Sequence, residues 1–271
     1  MNLKLRATIL AAASLLVCYA GVLRGMADQW WNDEDMGHGF LVPIVILWIL
    51  WRERSEWREV PAKPTLWGFI GVAGGAALQL VGALGVGLFA GALGFLCSLL
   101  GVVVCLGGFA RTRAWSFPLL LSIFMLPKLA VVYNQFTLPL QLLATRQAAA
   151  ILWVAGVGVV REGNVLQVGT HRVAVIEACN GIRYLIPLGF AAVVFAYLAD
   201  PRPWMRVALL LAAIPVAILA NAFRVAVSAY VPALSEGAFH TLAGWLIFIF
   251  CMVAIFLIHR LLARLWSGRH A

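Results

Sequence analysis

Charged side chains are scarce in this sequence. Of its 271 residues, 11% are charged and 63% are apolar, and the mean hydropathy is +0.96. Soluble domains usually contain about 45–50% apolar and about 25% charged residues. The composition therefore excludes a soluble globular domain and predicts an all-α polytopic membrane protein, whose length is best counted in spans of about 20 residues.

Basic residues form no single cluster, although the net charge is +9. They fall between the apolar runs, where lipid headgroups and membrane topology account for them. The sequence therefore predicts the lipid bilayer, and no nucleic acid, as a partner.

A cysteine framework is also missing. The five cysteines are an odd number, and four of them lie inside apolar runs, where a thiol behaves as a small hydrophobic group. Only Cys179 lies among polar residues, in the stretch Glu177-Ala-Cys-Asn-Gly-Ile-Arg183. This pattern argues against disulfides and sets one thiol apart.

Several catalytic signatures are absent from the sequence. There is no His-Glu-x-x-His of a zinc protease, no paired Glu-Glu of a glutamate-type intramembrane protease and no Gly-x-Ser-x-Gly elbow. The His and Cys residues show no clustered spacing of metal ligands. The sequence therefore predicts no metal and no cofactor.

Eight apolar segments are predicted to cross the membrane. Their boundaries are 7–25, 38–51, 65–86, 88–109, 114–132, 180–199, 205–225 and 241–259. The second segment, from Gly39 to Trp51, is also short enough to be re-entrant. Charge favours eight crossings, because a cytoplasmic N-terminus then puts thirteen of the 20 Lys and Arg residues on the inner side. These are Lys4, Arg6, Arg52, Arg54, Arg58, Lys63, Arg111, Arg113, Arg202, Arg206, Arg260, Arg264 and Arg269. Both termini are predicted to be cytoplasmic.

A polar stretch interrupts the spans between Val131 and Ala178. Residues 134–155 are predicted to form an amphipathic helix on the outer membrane surface. Its apolar side has Leu138, Leu142, Ala149 and Leu152, and the residues elsewhere are Gln141, Arg146 and Gln147. If this helix crossed the membrane instead, everything after it would change sides.

Three β-branched runs follow that helix. Val157–Arg161, Val165–Val168 and Arg172–Ile176 are separated by turn residues, which predicts a β-hairpin or a three-stranded patch. Open strand edges cannot lie in hydrocarbon, so this patch is predicted to be extracytoplasmic.

The predicted chain is a single membrane domain over residues 1–271. It consists of five N-terminal spans (1–132), an extracytoplasmic amphipathic helix with a β-hairpin (133–178) and a three-span core (179–271).

Polar clusters mark the predicted outer ends of the last three spans. They are Glu177-x-Cys179-Asn180-Gly-Ile-Arg183, Asn221-Ala-Phe-Arg224 and Gly237-Ala-Phe-His240. All three fall at one predicted depth on one side of the membrane.

These residue types fit thiol chemistry. A helix N-terminus and Arg183, one turn on, favour the thiolate of Cys179. His240 is a candidate for proton transfer, and Arg224 is a candidate for holding an oxyanion. Asn221 lies one turn from Arg224 and is a candidate to orient its guanidinium.

Simpler interpretations stay open at this point. A lone cysteine at a helix start is more often structural, and an arginine at a span end usually contacts headgroups. His38 and His171 are also predicted outside, so spacing alone does not select His240. Glu177 is equally suited to be a solvated strand-end charge. A non-catalytic transport or assembly factor for exopolysaccharide export, with arginines holding anionic sugar, is the alternative function.

The order and spacing of the motifs resemble the exosortase/archaeosortase family. The resemblance rests on the three clusters above, on the upstream string His38-Gly-Phe-Leu-Val-Pro43 and on the Gly163-Asn164 turn. It extends from about residue 30 to 250, which is nearly the whole chain.

This resemblance implies a function. Members of the family are multispanning thiol proteases or transpeptidases that process C-terminal sorting signals of exported proteins. In bacteria the substrate is membrane-anchored and carries a Pro-Glu-Pro motif, a transmembrane helix and a basic tail, and exopolysaccharide or biofilm gene clusters are the usual setting. The implied location is the bacterial inner membrane, with the active site on the periplasmic side.

The resemblance also implies site residues. The family triad falls on Cys179 as nucleophile, Arg224 and His240, and Arg183 matches the arginine of the cysteine motif. Asn180 stands where many members carry Ser. Asn221, Asn180, Glu177 and His38 are expected to support the site or to contact substrate.

Overall fold

The computed structural model of the protein is mostly helical and contains one small sheet. It describes residues 3–33, 35–175, 182–231, 234 and 237–267. The chain divides into two compact units, Met1–Leu129 and Ala130–Ala271.

The first unit contains seven α-helices among its described residues. They are α1 (Leu3–Cys18), α2 (Ala20–Asn32), α3 (Leu41–Arg52), α4 (Arg54–Glu59), α5 (Gly68–Val81), α6 (Leu88–Ala114) and α7 (Ser116–Leu121). Short 3-10 helices precede α3 (Gly37–Phe40) and follow α7 (Ser122–Met125), and a π-helical turn (Gly82–Val86) follows α5.

The second unit combines four helices with three strands among its described residues. They are α8 (Ala130–Val154), β1 (Val159–Glu162), β2 (Val165–Val168), β3 (His171–Ala174), α9 (Ile182–Ala199), α10 (Pro203–Tyr230) and α11 (Gly237–Ser267).

Four to six membrane spans follow from helix length and composition in the described chain. Gly68–Val86, Leu88–Ala114, Pro203–Tyr230 and Leu242–Trp266 qualify alone. Two bent pairs qualify when each is counted as one span: Arg6–Cys18 with Ala20–Asn32, bent by 66°, and Ser116–Met125 with Ala130–Val154, bent by 75°. The helices Gly37–Arg52 and Leu185–Ala199 are apolar but shorter. The polytopic helical fold is therefore confirmed, whereas the full count of eight stays a prediction.

The predicted span 114–132 is not one continuous helix. Its helical part ends at Met125, and Leu126 is extended, with φ −62° and ψ 136°. Pro127 explains this break, because proline disfavours the helical conformation in the residue before it and provides no backbone N–H. The helix resumes at Ala130 as α8, four residues before the predicted start.

Helix α8 buries several polar side chains. Gln141 is 6% exposed, and Thr137 and Thr145 are also buried. On the predicted apolar side Leu138 is 56% exposed, whereas Leu152 is 4% exposed. An exposed apolar side chain of a membrane protein can face lipid while polar residues pack inwards, so the position of this helix on the outer membrane surface stays a prediction.

Helices α5 and α6 pack through glycine. A Cβ on Gly101 would lie 2.6 Å from the carbonyl oxygen of Gly68, and a Cβ on Gly71 would lie 2.9 Å from the Cα of Gly101. Small residues let membrane helices approach this closely. Gly68, Gly71 and Gly101 therefore allow the close packing of α5 against α6.

A three-helix core holds the second unit together. Buried residues of α9, α10 and α11 form one cluster in which alanine predominates: Leu188, Ala192, Ala196, Met205, Leu209, Ala213, Ala217, Ala220, Cys251 and Ile255. Cys251 packs here as an apolar side chain, as predicted for cysteines in apolar runs.

An ion-pair cluster lies at the connection between α9 and α10. Buried Asp200 accepts hydrogen bonds from Arg202 Nε at 2.8 Å and Arg202 Nη2 at 2.6 Å, and it lies 3.2 Å from His259 Nε2. Arg206 donates to the backbone oxygen of Asp200 at 2.8 Å. The Arg202 guanidinium holds the pKa of Asp200 well below its usual range.

The sheet is an antiparallel meander of three strands in the order β1-β2-β3. Val165 pairs with Glu162 on one side and with Ala174 on the other. The strands lie at the predicted runs, with ends that differ by up to two residues. β3 precedes the cysteine motif in sequence. Residues 176–181, which include most of that motif, are outside the described chain.

Candidate active site

Two of the predicted site residues lie on α10, and both are buried. Asn221 is 2% exposed and Arg224 is 4% exposed. They are three positions apart, so they occupy the same side of the helix about one turn apart. A guanidinium is costly to remove from water unless nearby groups compensate for its charge. Arg224 therefore does not behave as an arginine that extends to the headgroups.

An apolar pocket of about 250 Å³ opens beside Arg224. It lies between the end of α10 and the start of α11. Its lining consists of Phe223, Arg224, Val227, Ser228, Leu234, Phe239, Leu242, Ala243, Leu246 and Ile247. Among these residues Arg224 supplies the charge. The pocket wall is almost entirely apolar, and Arg224 and Ser228 are the polar residues that border it. Ligand-binding sites are often mostly apolar with a few polar groups at their border.

Both polar clusters on α10 and α11 contribute to this pocket. Phe223 of the Asn221–Arg224 cluster and Phe239 of the Gly237–His240 cluster are lining residues. The structure therefore brings these two clusters to one pocket, whereas their depth in the membrane stays a prediction.

Helix α11 begins with the motif that contains His240. The backbone of His240 lies in the first turn of α11, and its side chain is not described. Ala243 and Ile247 line the pocket three and seven positions further along the helix. These spacings correspond to about one and two helical turns.

The cysteine motif lies largely outside the described residues. This applies to Cys179, Glu177 and Asn180. Arg183 is the second residue of α9, and only its backbone is described. The geometry of the predicted triad is therefore not tested by the described chain.

The chain segment just before the cysteine motif packs against the part of α10 that contains Arg224. Val175 is 1% exposed and belongs to a cluster with Leu166 of β2 and with Val225 and Ala226 of α10. Residues Ala144, Ala148 and Leu152 of α8 complete the buried part of this cluster, together with Ala229. The sheet is thus fixed beside the helix segment that contains Arg224.

His38 belongs to the first unit. Its ring is buried and lies within interaction range of the backbone of Asp35 and Phe124. A Cβ on Gly39 would overlap the Trp30 ring, so glycine is required after His38. Phe40 packs edge-on against Trp30 at 5.4 Å between ring centroids. These contacts give the His-Gly-Phe string a structural role in its own unit.

The family profile of transmembrane exosortases matches residues 30–257. The chain belongs to the transmembrane exosortase family. All eight predicted site residues of this exosortase, from His38 to His240, fall within the matched range. No curated protein and no solved structure matches the chain.

Two polar arrangements in this exosortase were missed by the sequence analysis. Lys128 Nζ lies 2.7 Å from an Asp33 carboxylate oxygen and 2.6 Å from one of Asp35, in the first unit. Asn164 forms two hydrogen bonds with Val175 in the second unit. The acidic run near Asp35 and the Gly163-Asn164 turn were visible signals, but neither pattern reveals a partner distant in sequence.

Proposed function

We propose that this exosortase is a membrane-embedded cysteine protease or transpeptidase that cleaves C-terminal sorting signals at the outer face of the inner membrane. Its substrates are membrane-anchored proteins with a Pro-Glu-Pro motif, a transmembrane helix and a basic tail. The proposed setting is the export of proteins linked to exopolysaccharide and biofilm production. The catalytic residues are Cys179, Arg224 and His240.

The proposed reaction is acyl transfer. The thiolate of Cys179 attacks the carbonyl carbon of the scissile peptide bond, and Arg224 stabilises the oxyanion of the tetrahedral intermediate. His240 takes the thiol proton and returns it to the departing amine as the C–N bond breaks. A thioester remains on Cys179. Water, or an amine or hydroxyl of an acceptor, then resolves this thioester and restores the thiol.

The burial of Arg224 beside an apolar pocket carries this proposal. A positive charge in an apolar pocket interacts strongly with a developing negative charge, because little water is present to screen it. An arginine on the predicted outer side also runs against the positive-inside trend, which makes a topological role a poor explanation. The apolar lining suits the hydrophobic part of a sorting signal.

The length of the chain between Val175 and Cys179 supports the assignment of the nucleophile. An extended chain reaches at most about 14 Å over four residues. Val175 packs in one cluster with Val225 and Ala226, the two residues that follow Arg224. This reach supports the proposed position of Cys179 near the Arg224 segment.

Processing of a co-expressed sorting-signal protein tests the proposal, with mass spectrometry of the new C-terminus as the measurement. We expect Cys179→Ala to abolish processing. Cys18→Ala is the matched control, because Cys18 is an exposed free cysteine at the end of α1 and has no role in the proposal. Wild-type processing by Cys179→Ala would overturn the proposed function.

Rapid alkylation by a thiol probe separates the enzyme from the transport alternative. A nucleophilic Cys179 should react faster than the other four cysteines, because only an activated thiol is largely ionised near neutral pH. An inert Cys179 would favour the role of a scaffold in polysaccharide export.

A further inference from the structure

Asn164 occupies a two-residue turn between β1 and β2. The turn consists of Gly163 and Asn164, and its closing pair is Glu162 with Val165. Gly163 has φ +62°, whereas Asn164 does not have positive φ. A positive φ at the first central residue alone corresponds to a type II′ turn, which favours glycine there and leaves the second position free for asparagine.

Both polar backbone groups of Val175 bind to Asn164. The N–H of Val175 donates to the backbone oxygen of Asn164 at 2.8 Å, and the side-chain amide of Asn164 donates from Nδ2 to the oxygen of Val175 at 3.2 Å. The ladder pairs Val165 with Ala174, so this contact extends the β2–β3 register by one residue. A side chain supplies the second hydrogen bond of that extra pair.

This pair holds the last described residue before the cysteine motif. Val175 is buried beside Val225 and Ala226, next to Arg224 in sequence. A buried carbonyl needs a hydrogen-bond donor, and Asn164 provides one. The position of Val175 beside α10 therefore depends in part on Asn164.

We propose that Asn164 is a positioning residue for the thiol: its side-chain hydrogen bond fixes Val175, four positions before Cys179, beside the segment of α10 that contains Arg224. The inference rests on the proposed function. Asn164 acts through Val175 and does not touch the reacting atoms. Its loss should reduce the rate of the chemical step and leave the affinity for the sorting signal unchanged.

Two substitutions test this role in the purified full-length protein. Asn164→Asp keeps the shape but replaces the amide donor with an acceptor facing the Val175 oxygen. Asn164→Ala removes the donor without adding repulsion. We expect kcat for cleavage of a synthetic sorting-signal peptide to fall about 10–100-fold in Asn164→Asp and less in Asn164→Ala, with KM within about twofold of wild type.

Gln167→Ala is the matched control. Gln167 also donates a side-chain amide hydrogen bond to a backbone oxygen in the same sheet, from Nε2 to Gly169 at 3.4 Å, but at the turn away from Val175. We expect wild-type kcat and a wild-type unfolding midpoint for Gln167→Ala. Both Asn164 variants are assayed well below their own midpoints, because loss of the donor to a buried carbonyl also lowers stability. Wild-type kcat in both Asn164 variants would overturn the inference. An equal fall in kcat in Gln167→Ala and in the Asn164 variants would also overturn it.

The failure of this inference is distinguishable from that of the proposed function. An inactive Cys179→Ala together with fully active Asn164 variants would remove the positioning role and retain the thiol mechanism. An active Cys179→Ala would remove both.

Discussion

At the scale of single residues, the environment of Arg224 is suited to stabilising a developing negative charge. It is buried near the end of α10, it supplies the charge in a pocket lined mainly by apolar side chains, and Asn221 lies one turn away. Arginine offers a planar set of donors that lysine cannot reproduce. The proposed oxyanion role therefore depends on the guanidinium group and not only on its charge.

Replacing Arg224 by lysine should lower activity strongly. Arg224→Lys retains a positive charge but loses the fixed donor geometry, so we expect kcat to fall about 100–1,000-fold while KM changes little. Steady-state cleavage of a sorting-signal peptide measures both constants. Arg146→Lys, at an exposed position on α8, is the control and should match wild type. Equal kcat for Arg224→Lys and wild type would rule out the oxyanion role.

At the scale of elements, helix packing and the pocket depend on small residues at defined positions. Gly101 contacts α5 at a distance that leaves no room for a Cβ, whereas Gly74 of α5 has no atom within 4 Å of a Cβ placed there. Ala243 of α11 lines the pocket, whereas Val253 of the same helix is exposed. A larger side chain at Gly101 or Ala243 is therefore expected to affect stability or substrate binding. One at Gly74 or Val253 is not.

Adding a methyl group to Gly101 should destabilise the first unit. Gly101→Ala places a Cβ against the backbone of α5, and overpacking of this kind costs about 1–3 kcal/mol. Thermal unfolding in detergent should show a lower midpoint for Gly101→Ala than for wild type. Gly74→Ala should not lower it. Equal midpoints for the two variants would show that the contact between α5 and α6 is looser than described.

Filling the pocket should impair substrate binding. Ala243→Phe adds a ring to a cavity of about 250 Å³, so we expect the KM for the sorting-signal peptide to rise at least about tenfold. Val253→Phe places a phenyl ring on the exposed side of the same helix, outside the pocket, and should leave KM unchanged. An unaltered KM in Ala243→Phe would show that the substrate binds elsewhere.

Sequence patterns predicted the elements better than their faces and breaks. The β-branched runs and turn residues located the three strands within two residues. The burial of Gln141 in α8 was not predicted, because periodicity separates the two sides of a helix but does not show which side meets protein and which meets lipid. The break after Met125 depends on Pro127, a signal that the apolar run around it obscured.

At the scale of the whole molecule, the bent helix pairs are compatible with the predicted topology, which stays a prediction. If Ser116–Met125 and Ala130–Val154 form one broken span, they replace the predicted span 114–132 and the surface helix with a single crossing. The number of crossings before the sheet then stays the same. The sheet is therefore expected on the periplasmic side in either case.

Cysteine accessibility in spheroplasts tests this topology. Thr170 lies at the exposed β2–β3 turn, and Ser55 lies on exposed α4 at a predicted inner loop. An impermeant maleimide should label Thr170→Cys before lysis and Ser55→Cys only after lysis, each compared with the parent protein. Labelling of Ser55→Cys alone in intact spheroplasts would invert the topology.

The candidate site was predictable as a set of motifs but not as a geometry. Spacing indicated that the Arg224 and His240 clusters share one depth, and the pocket joins their two phenylalanines. The pocket itself and the Asn164–Val175 pair arise from tertiary contacts between distant segments, which no local pattern specifies.

Detection of an acyl-enzyme tests the thiol mechanism most directly. Wild-type protein is mixed with a synthetic sorting-signal peptide, quenched in acid, digested and analysed by mass spectrometry. The mechanism predicts that the peptide segment upstream of the cleaved bond is attached to Cys179 as a thioester and is released by hydroxylamine. Cleavage at the wild-type rate by Cys179→Ala, with no adduct on Cys179 in the wild-type protein, would contradict it.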